Sequence, residues 1–230
     1  SIHHNLYANN NNRNPAIGSY TSGQSVRADI RNNVIYNCPQ PGYTSGASKQ
    51  VEMNYIGNYG VWGPISKKTY LWTGNKDNDV RIYQADNRHD MDRNGTISGG
   101  TSGWSLFQGD FSQKTSAFSF LPITTHPVAQ AATIVLNEAG ARPWGRDKTD
   151  LRIVAQIASD KGKLIDSQDE VGGWGSLNKG APIVDSDQDG VPDSFEIAAG
   201  TDPKQADQNL DKNGDGYTNL ENYLHVAQPK

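Results

Sequence analysis

Apolar and polar positions alternate in short runs through the first third of the chain. Val26, Ala28 and Ile30 share one face of a predicted strand, and Val51, Met53 and Tyr55 share one face of another. Around these runs a degenerate unit recurs. Asn5-Leu6-Tyr7-Ala8-Asn9, Asn33-Val34-Ile35-Tyr36-Asn37 and Asn54-Tyr55-Ile56-Gly57-Asn58 share the pattern Asn-x-x-x-Asn, with starts 28 and then 21 residues apart and a weaker echo at Gly74-Asn75. A period of this size indicates stacked coils, and the alternating strands select a parallel β-helix among solenoids. Asparagine suits the coil corners because it tolerates left-handed backbone. Equivalent amides on successive coils are then placed to bond in a ladder. Lys68–Thr73 and Val80–Tyr83 are predicted as further strands, and residues 86–104 as a long loop rich in Gly, Asp and Asn.

Beyond residue 126 the apolar spacing becomes helical. Pro127–Ala139 places Val128, Ala131, Ala132, Val135, Leu136 and Ala139 on one face, with proline at the first turn and Gly140 at the stop. A second predicted helix spans residues 149–159, with Leu151, Val154, Ala155 and Ala158 inward and Thr149 or Asp150 as the cap. Both helices are expected to pack on the solenoid and cover its exposed end, and residues 160–183 to form an extended, Gly-rich connector. The predicted class is all-β. Right-handed parallel β-helix coils occupy residues 1–125, incomplete at the start. A helical cap and wrapping segment occupies residues 126–183, and a small α-helical module residues 184–226.

Composition agrees with a turn-rich β architecture: 34% hydrophobic residues, 24 Gly and 11 Pro. No apolar run has the length of a bilayer span. The single Cys38 excludes an intrachain disulfide and is read as a small buried hydrophobe. Charge is divided. Residues 184–226 carry ten Asp/Glu against two Lys, whereas the remainder carries 19 basic against 15 acidic residues. A mildly basic body suits a polyanionic partner, and an acidic appendage suits cations.

The appendage holds the strongest local motif. Residues 185–196 match a twelve-residue calcium loop: Asp185, Asp187, Asp189, Asp193 and Glu196 stand at the oxygen-donor positions, and the Val191 carbonyl fills the seventh. Gly190 permits the sharp turn. A second loop begins at Asp211, with Asn213, Asp215, the Tyr217 carbonyl and Asn219 in matching places. Glu221 and Asn222 fall at its eleventh and twelfth positions, so its closing ligand is left open between them. Short helices at residues 194–199 and 219–225 complete a pair expected to fold only around its calcium ions.

Three stretches carry a family resemblance. His3-His4-Asn5-Leu6 with Arg13-Asn14-Pro15, then Arg31-Asn32-Asn33-Val34-Ile35-Tyr36-Asn37, and finally Ile165-Asp166-Ser167-Gln168-Asp169-Glu170-Val171-Gly172-Gly173-Trp174 together resemble bacterial secreted pectate lyases. The acidic tail resembles the dockerin-like or thrombospondin type 3-like calcium modules appended to such enzymes. The resemblance implies a parallel β-helix and a secreted, monomeric enzyme. It further implies calcium-dependent β-elimination of polygalacturonate, with Arg13 as the base. An arginine base needs a pKa depressed by desolvation or neighbouring cations. Many relatives carry an auxiliary arginine after the proline, where this chain has Ala16-Ile17.

Tyr20, Arg27 and Arg31 are candidate substrate-groove residues. His3 and His4 are read as structural, as are Asp166, Asp169 and Glu170. The chain opens at Ser1 without methionine, and the aspartates for the substrate-bound calcium are expected upstream of it. Pectate is the expected partner, with no nucleic acid and a possible docking partner for the tail. The alternative is a non-catalytic, calcium-dependent carbohydrate-binding or docking module.

Overall fold

Strands in this chain pair with strands one coil away, as the alternation requires. The structure, a computed structural model, describes residues 1–46, 48–140, 145–176 and 180–226. The chain divides into two units, residues 1–175 and 176–230.

The first unit is a parallel β-helix of about four turns. Coil 1 contributes β1 (Ile2–His3), β2 (Leu6–Ala8) and β3 (Ala16–Ser19). Coil 2 contributes β4 (Ser25–Arg31), β5 (Val34–Tyr36) and β6 (Gly42–Gly46), and coil 3 β7 (Gln50–Ile56), β8 (Tyr59–Val61) and β9 (Trp72–Thr73). Coil 4 contributes β10 (Asp79–Ala85), β11 (Arg88–Asp90), β12 (Gly100–Thr101) and β13 (Phe107–Gln108), before β14 (Ser112–Lys114) starts a further turn. The sheets run β1-β4-β7-β10-β14, β2-β5-β8-β11-β12 and β3-β6-β9-β13. All pairs are parallel except β11 with β12.

Register stacks like on like: Val26, Val51 and Val80 align, as do Ala28, Met53 and Ile82. The interior they enter also holds Ile30, Tyr55, Leu71, Trp72, Leu106 and Phe107. Tyr55 meets Trp72 and Phe107 with ring centroids 5.7 and 5.4 Å apart.

The asparagine ladder exists, on a different register from that predicted. Its rungs are Asn5, Asn33, Asn58 and Asn87. Each amide donates to the next oxygen at 2.9, 2.9 and 3.3 Å, and each backbone N–H bonds the same oxygen at 2.9–3.1 Å. The residue before each rung, His4, Asn32, Gly57 or Asp86, takes the left-handed conformation. Asn9 and Asn37 are also left-handed, at a second corner. Asn54 is no corner residue: it lies inside β7, aligned with Asp29. Nor is Asn75 a rung. Residues 86–104, expected as loop, contain β11 and β12, and of Lys68–Thr73 the strand retains Trp72–Thr73.

After β14 the chain returns as a strap across β4 and β7. Asn54 exchanges two bonds with the Phe118 backbone at 2.9 and 3.0 Å. Asn32 does the same with His126 at 2.9 and 2.8 Å.

Helices α1 (Val128–Glu138) and α2 (Lys148–Ala158) follow. They cover the flank of β5 and β8, where Val128, Ala132, Val135 and Ile157 pack on Val34, Tyr36, Tyr59 and Val61. The expected covering of the solenoid end is therefore corrected to a covering of its side, because the outer faces of these strands are themselves apolar. The α2 cap is Asp147, which accepts from the N–H groups of Thr149 and Asp150. Leu151, Ala155 and Ala158, expected inward, are exposed; Ile157 is the buried residue, flanked by half-buried Ile153 and Val154. Cys38 is buried, and burial pushes its thiol up to about 12. The predicted connector falls partly on residues 177–179, outside the described residues. Among the described residues no helix is long and apolar enough to cross a membrane.

The fully buried Asn58 accepts from the Asn33 backbone and amide and donates to the Ile30 carbonyl at 3.0 Å. Asn58→Ala leaves several of these groups unpaired, at about 1–3 kcal/mol each. A loss of about 3–5 kcal/mol is expected in urea unfolding, and a change under about 1 kcal/mol would remove the ladder from its structural role.

Candidate functional site

Arg13 stands in the turn between β2 and β3, with left-handed backbone at φ 64°. Its guanidinium is exposed, and Nε donates to the Tyr43 hydroxyl at 3.2 Å. That bond, with the nearness of Tyr43 and Tyr20, raises the Arg13 pKa above its ordinary value. The shift is opposite to the depression a resting base requires, so the free protein holds a cation here. Tyr43 belongs to β6 and also lines a groove of about 620 Å³, together with Thr44, Tyr70, Thr73, Lys76 and Asp110.

Of the other predicted groove residues, only Tyr20 is near. It is 81% exposed, just past β3. Arg27 and Arg31 lie on β4, in another sheet, and are engaged elsewhere. Arg27 pairs with Glu52 at 3.2 Å, donates to the Ser119 carbonyl and lies 4.8 Å from the Phe120 ring centroid. Arg31 pairs with Asp29 at 2.8 Å and donates to Thr125. Strap and strand hold both arginines away from the Arg13 groove.

His3 and His4 have their Nδ1 atoms 3.0 Å apart, and His4 Nε2 lies 3.0 Å from His126 Nδ1. Burial, then the nearness of His3 and His126, lowers the His4 pKa. The three rings tie the first coil corner to the end of the strap. Glu170 closes a capping box with Ser167. Hydrogen bonding to Lys163 holds its pKa down, to about 2.

In the second unit, Gly190 adopts φ 94° and Gly216 φ 90° at the sixth positions of the two loops. These turns gather carboxylates. Oxygens of Asp185, Asp187 and Asp189 lie within 4.8 Å of one another, and so do those of Asp189, Glu196 and Asp207. Glu196 sits on α3 (Asp193–Ala199) and is 0% exposed. Neither of its carboxylate oxygens has a hydrogen-bond partner, nor does Asp187 Oδ2. Burial, then repulsion from Asp187, Asp189, Asp207 and Asp193, pushes Glu196 up to about 7. Buried carboxylates without donors cost energy unless a cation compensates them. The donor set is oxygen alone, which suits a hard divalent ion.

The predicted ligands divide. Asp185 accepts from the N–H groups of Asp189 and Gly190 at 3.2 and 3.0 Å, which closes the loop. Val191 is buried and donates its N–H to Asp189. Asp193 stands apart: both its oxygens accept from Ser186, at 2.7 Å.

In the second loop Asp211 accepts from Gly214 and Gly216. Asp215 accepts from Tyr217 N–H and the Asn213 amide at 2.8 Å. Glu221 accepts twice from Thr218 at the start of α4 (Asn219–Val226). The Asn222 amide approaches Asp215 at 3.4 Å. Asn219 accepts from Lys212 N–H and donates to Asp207.

Neither Tyr43 nor Asp207 stands out in the sequence. Tyr43 lies 30 residues from Arg13, and Asp207 falls between the loops, outside either twelve-residue template.

The Glu196 shift sets a pH dependence. Between the ordinary 4.5 and the folded value of about 7, the unfolded chain has released the proton that the folded unit keeps. Stability of the metal-free unit therefore falls as pH rises through that window. Melting in EDTA, read from the Phe195 and Tyr223 ring resonances, is expected at higher temperature at pH 5 than at pH 8. Glu196→Gln is expected to flatten the difference, and an unchanged profile would refute this origin.

Compared with curated proteins, the chain is 34% identical over 235 residues to a probable pectate lyase C of Neosartorya fischeri and 34% identical over 236 residues to one of Aspergillus flavus. It is 31% identical over 244 residues to another of Emericella nidulans. Each match takes in 100% of this chain and 53–54% of the relative, so the chain spans about half the length of the curated relatives it matches. These relatives are fungal, whereas the sequence resemblance pointed to bacterial members. No protein-family profile matches the chain, and no solved structure matches it.

Proposed function

We propose, taking the whole-length kinship with the probable pectate lyases C as premise, that this chain is part of a secreted, monomeric polysaccharide lyase that cleaves polygalacturonate by β-elimination with calcium. The observation that carries the reading is the match of the entire chain to these proteins. An exposed arginine bonded to Tyr43, which lines a groove on the solenoid, supports it.

In the reaction a base takes the C5 proton of a uronate. The electron pair left behind becomes the C4–C5 double bond, and the C4–O bond to the leaving sugar breaks. Calcium bound to the uronate carboxylate supplies charge withdrawal that acidifies the C5 proton. Arg13 is the proposed base, with Tyr43 as its resting partner. In the free protein the exposed guanidinium is a cation held by Tyr43, which suits capture of a polyanion. Base action then follows when the sugar chain displaces Tyr43 and excludes water, because desolvation disfavours the charged form. Tyr43, Tyr70 and Lys76, which line the groove, are the proposed contacts for the polymer.

The proposed resident calcium lies in the second unit, on the carboxylates of residues 185–207, with a further ion in the loop from Asp211. A docking reading has one specific support: Ile197, Leu210, Tyr217 and Leu224 expose apolar surface on that unit.

The assay is release of unsaturated oligogalacturonides from polygalacturonate by the intact protein with calcium. Arg13→Lys is expected to lower kcat by about 10²-fold or more with little change in KM. Tyr43→Phe removes the resting partner that the sugar chain must displace, so it is expected to change kcat far less than Arg13→Lys does. No unsaturated product from the intact protein would sink the lyase reading, and full activity of Arg13→Lys would remove Arg13 from its role.

A further inference from the structure

Two observations in the second unit depart from a cation loop closed by its own twelve residues, and a third marks where an ion would sit. The ninth residue, Asp193, spends both oxygens on Ser186. The twelfth, Glu196, is completely buried with both oxygens unpartnered. The carboxylates nearest Glu196 include Asp207, which comes from eleven residues further along the chain and shares a 4.8 Å cluster with Glu196 and Asp189.

Asp207 is held there by two sets of contacts. Its own N–H and that of Gln208 donate to Asp189 Oδ2 at 3.0 Å each. The Asn219 amide donates to its carbonyl and to Oδ1, at 3.0 and 2.9 Å. Asn219 in turn accepts from the N–H of Lys212, inside the second loop. A chain of contacts therefore runs from Asp189 through Asp207 and Asn219 into the second loop.

We infer that Asp207 completes the first cation site in place of Asp193. A divalent ion bound by Asp189, Glu196 and Asp207, beside the adjoining cluster of Asp185, Asp187 and Asp189, then ties both loops into one folding unit. The inference rests on the calcium reading above. Spacing around the ion is consistent with it, since oxygens about 2.4 Å from a calcium ion stand up to about 4.8 Å apart across it. The buried, unpartnered oxygens of Glu196 are the independent sign of a ligand, because no protein donor meets them. Asp193 is left as a structural clasp that accepts from Ser186 and fixes the entry to α3. Asn219 becomes a positioning residue, since it aims Asp207 without reaching the site.

The test is calorimetric titration of the intact, EDTA-stripped protein with calcium. Asp207→Asn is expected to weaken one ion by about tenfold or more, as loss of a charged ligand does. Asp193→Asn is expected to keep that ion within about threefold, because both Asp193 oxygens accept from Ser186 and neither belongs to the carboxylate cluster around Glu196. Similar affinities for wild type and Asp207→Asn, or loss of the ion in Asp193→Asn, would overturn the assignment.

Asp207→Asn could fail to fold, so the carboxyl ¹³C resonances of Asp193 and Asp207 are compared in the wild-type protein. Calcium should shift Asp207 and leave Asp193 in place, and the reverse pattern refutes the proposal. If wild type binds no calcium, the calcium reading itself falls. If wild type binds and only the Asp193 variant loses the ion, that reading stands and the Asp207 assignment falls.

Discussion

The first unit depends on satisfying the backbone where each coil turns a corner. A solenoid buries its corners against the next coil, and their polar groups cannot all find water. The amides of Asn5, Asn33, Asn58 and Asn87 solve this together. Each accepts from one neighbouring rung or donates to the next, and Asn33, Asn58 and Asn87 also reach a carbonyl of the previous coil. Because the rungs share partners, spacing between coils and orientation of the strands are fixed at once. The helices and the strap are then laid on a frame already closed.

The second unit rests on the opposite electrostatic condition. Its carboxylates are drawn together by backbone N–H groups and glycine turns, and those donors leave the innermost oxygens of Glu196 and Asp187 unmet. The body's corner amides are satisfied within the coils, whereas the appendage gathers carboxylates whose charge a cation would offset. The division of net charge along the sequence reflects these two ways of holding a small structure together.

The coils were legible because inward positions repeat at period two: Val26, Ala28 and Ile30 could be read directly. Register was harder. Asn5 and Asn33 are ladder rungs, while Asn9 and Asn37 belong to a second corner, so Asn-x-x-x-Asn joins two different jobs. On coil 3 the place after the strand is taken by Trp62, whose N–H bonds the Asp90 carbonyl as Asn37 N–H bonds that of Val61. The motif therefore slid four residues early, to Asn54. The inward stripe of α2 slid for a related reason, since Ile153 and Ile157 compete with Leu151 and Ala155 for the apolar face. The strap and Asp207 left no periodic trace, because their contacts run between side chains and backbone far apart in sequence.

The strap also changes what the body presents to a charged polymer. Arg27 and Arg31 meet Glu52 and Asp29, Arg81 meets Asp79 and Arg93 meets Asp160. These four arginines are thus held in contact ion pairs with acids of the same body. Arg13 meets a hydroxyl instead, so its field is not cancelled in that way. Under the function proposed above, Arg13 is therefore the arginine at the groove edge that a polyanion would meet without first displacing a carboxylate.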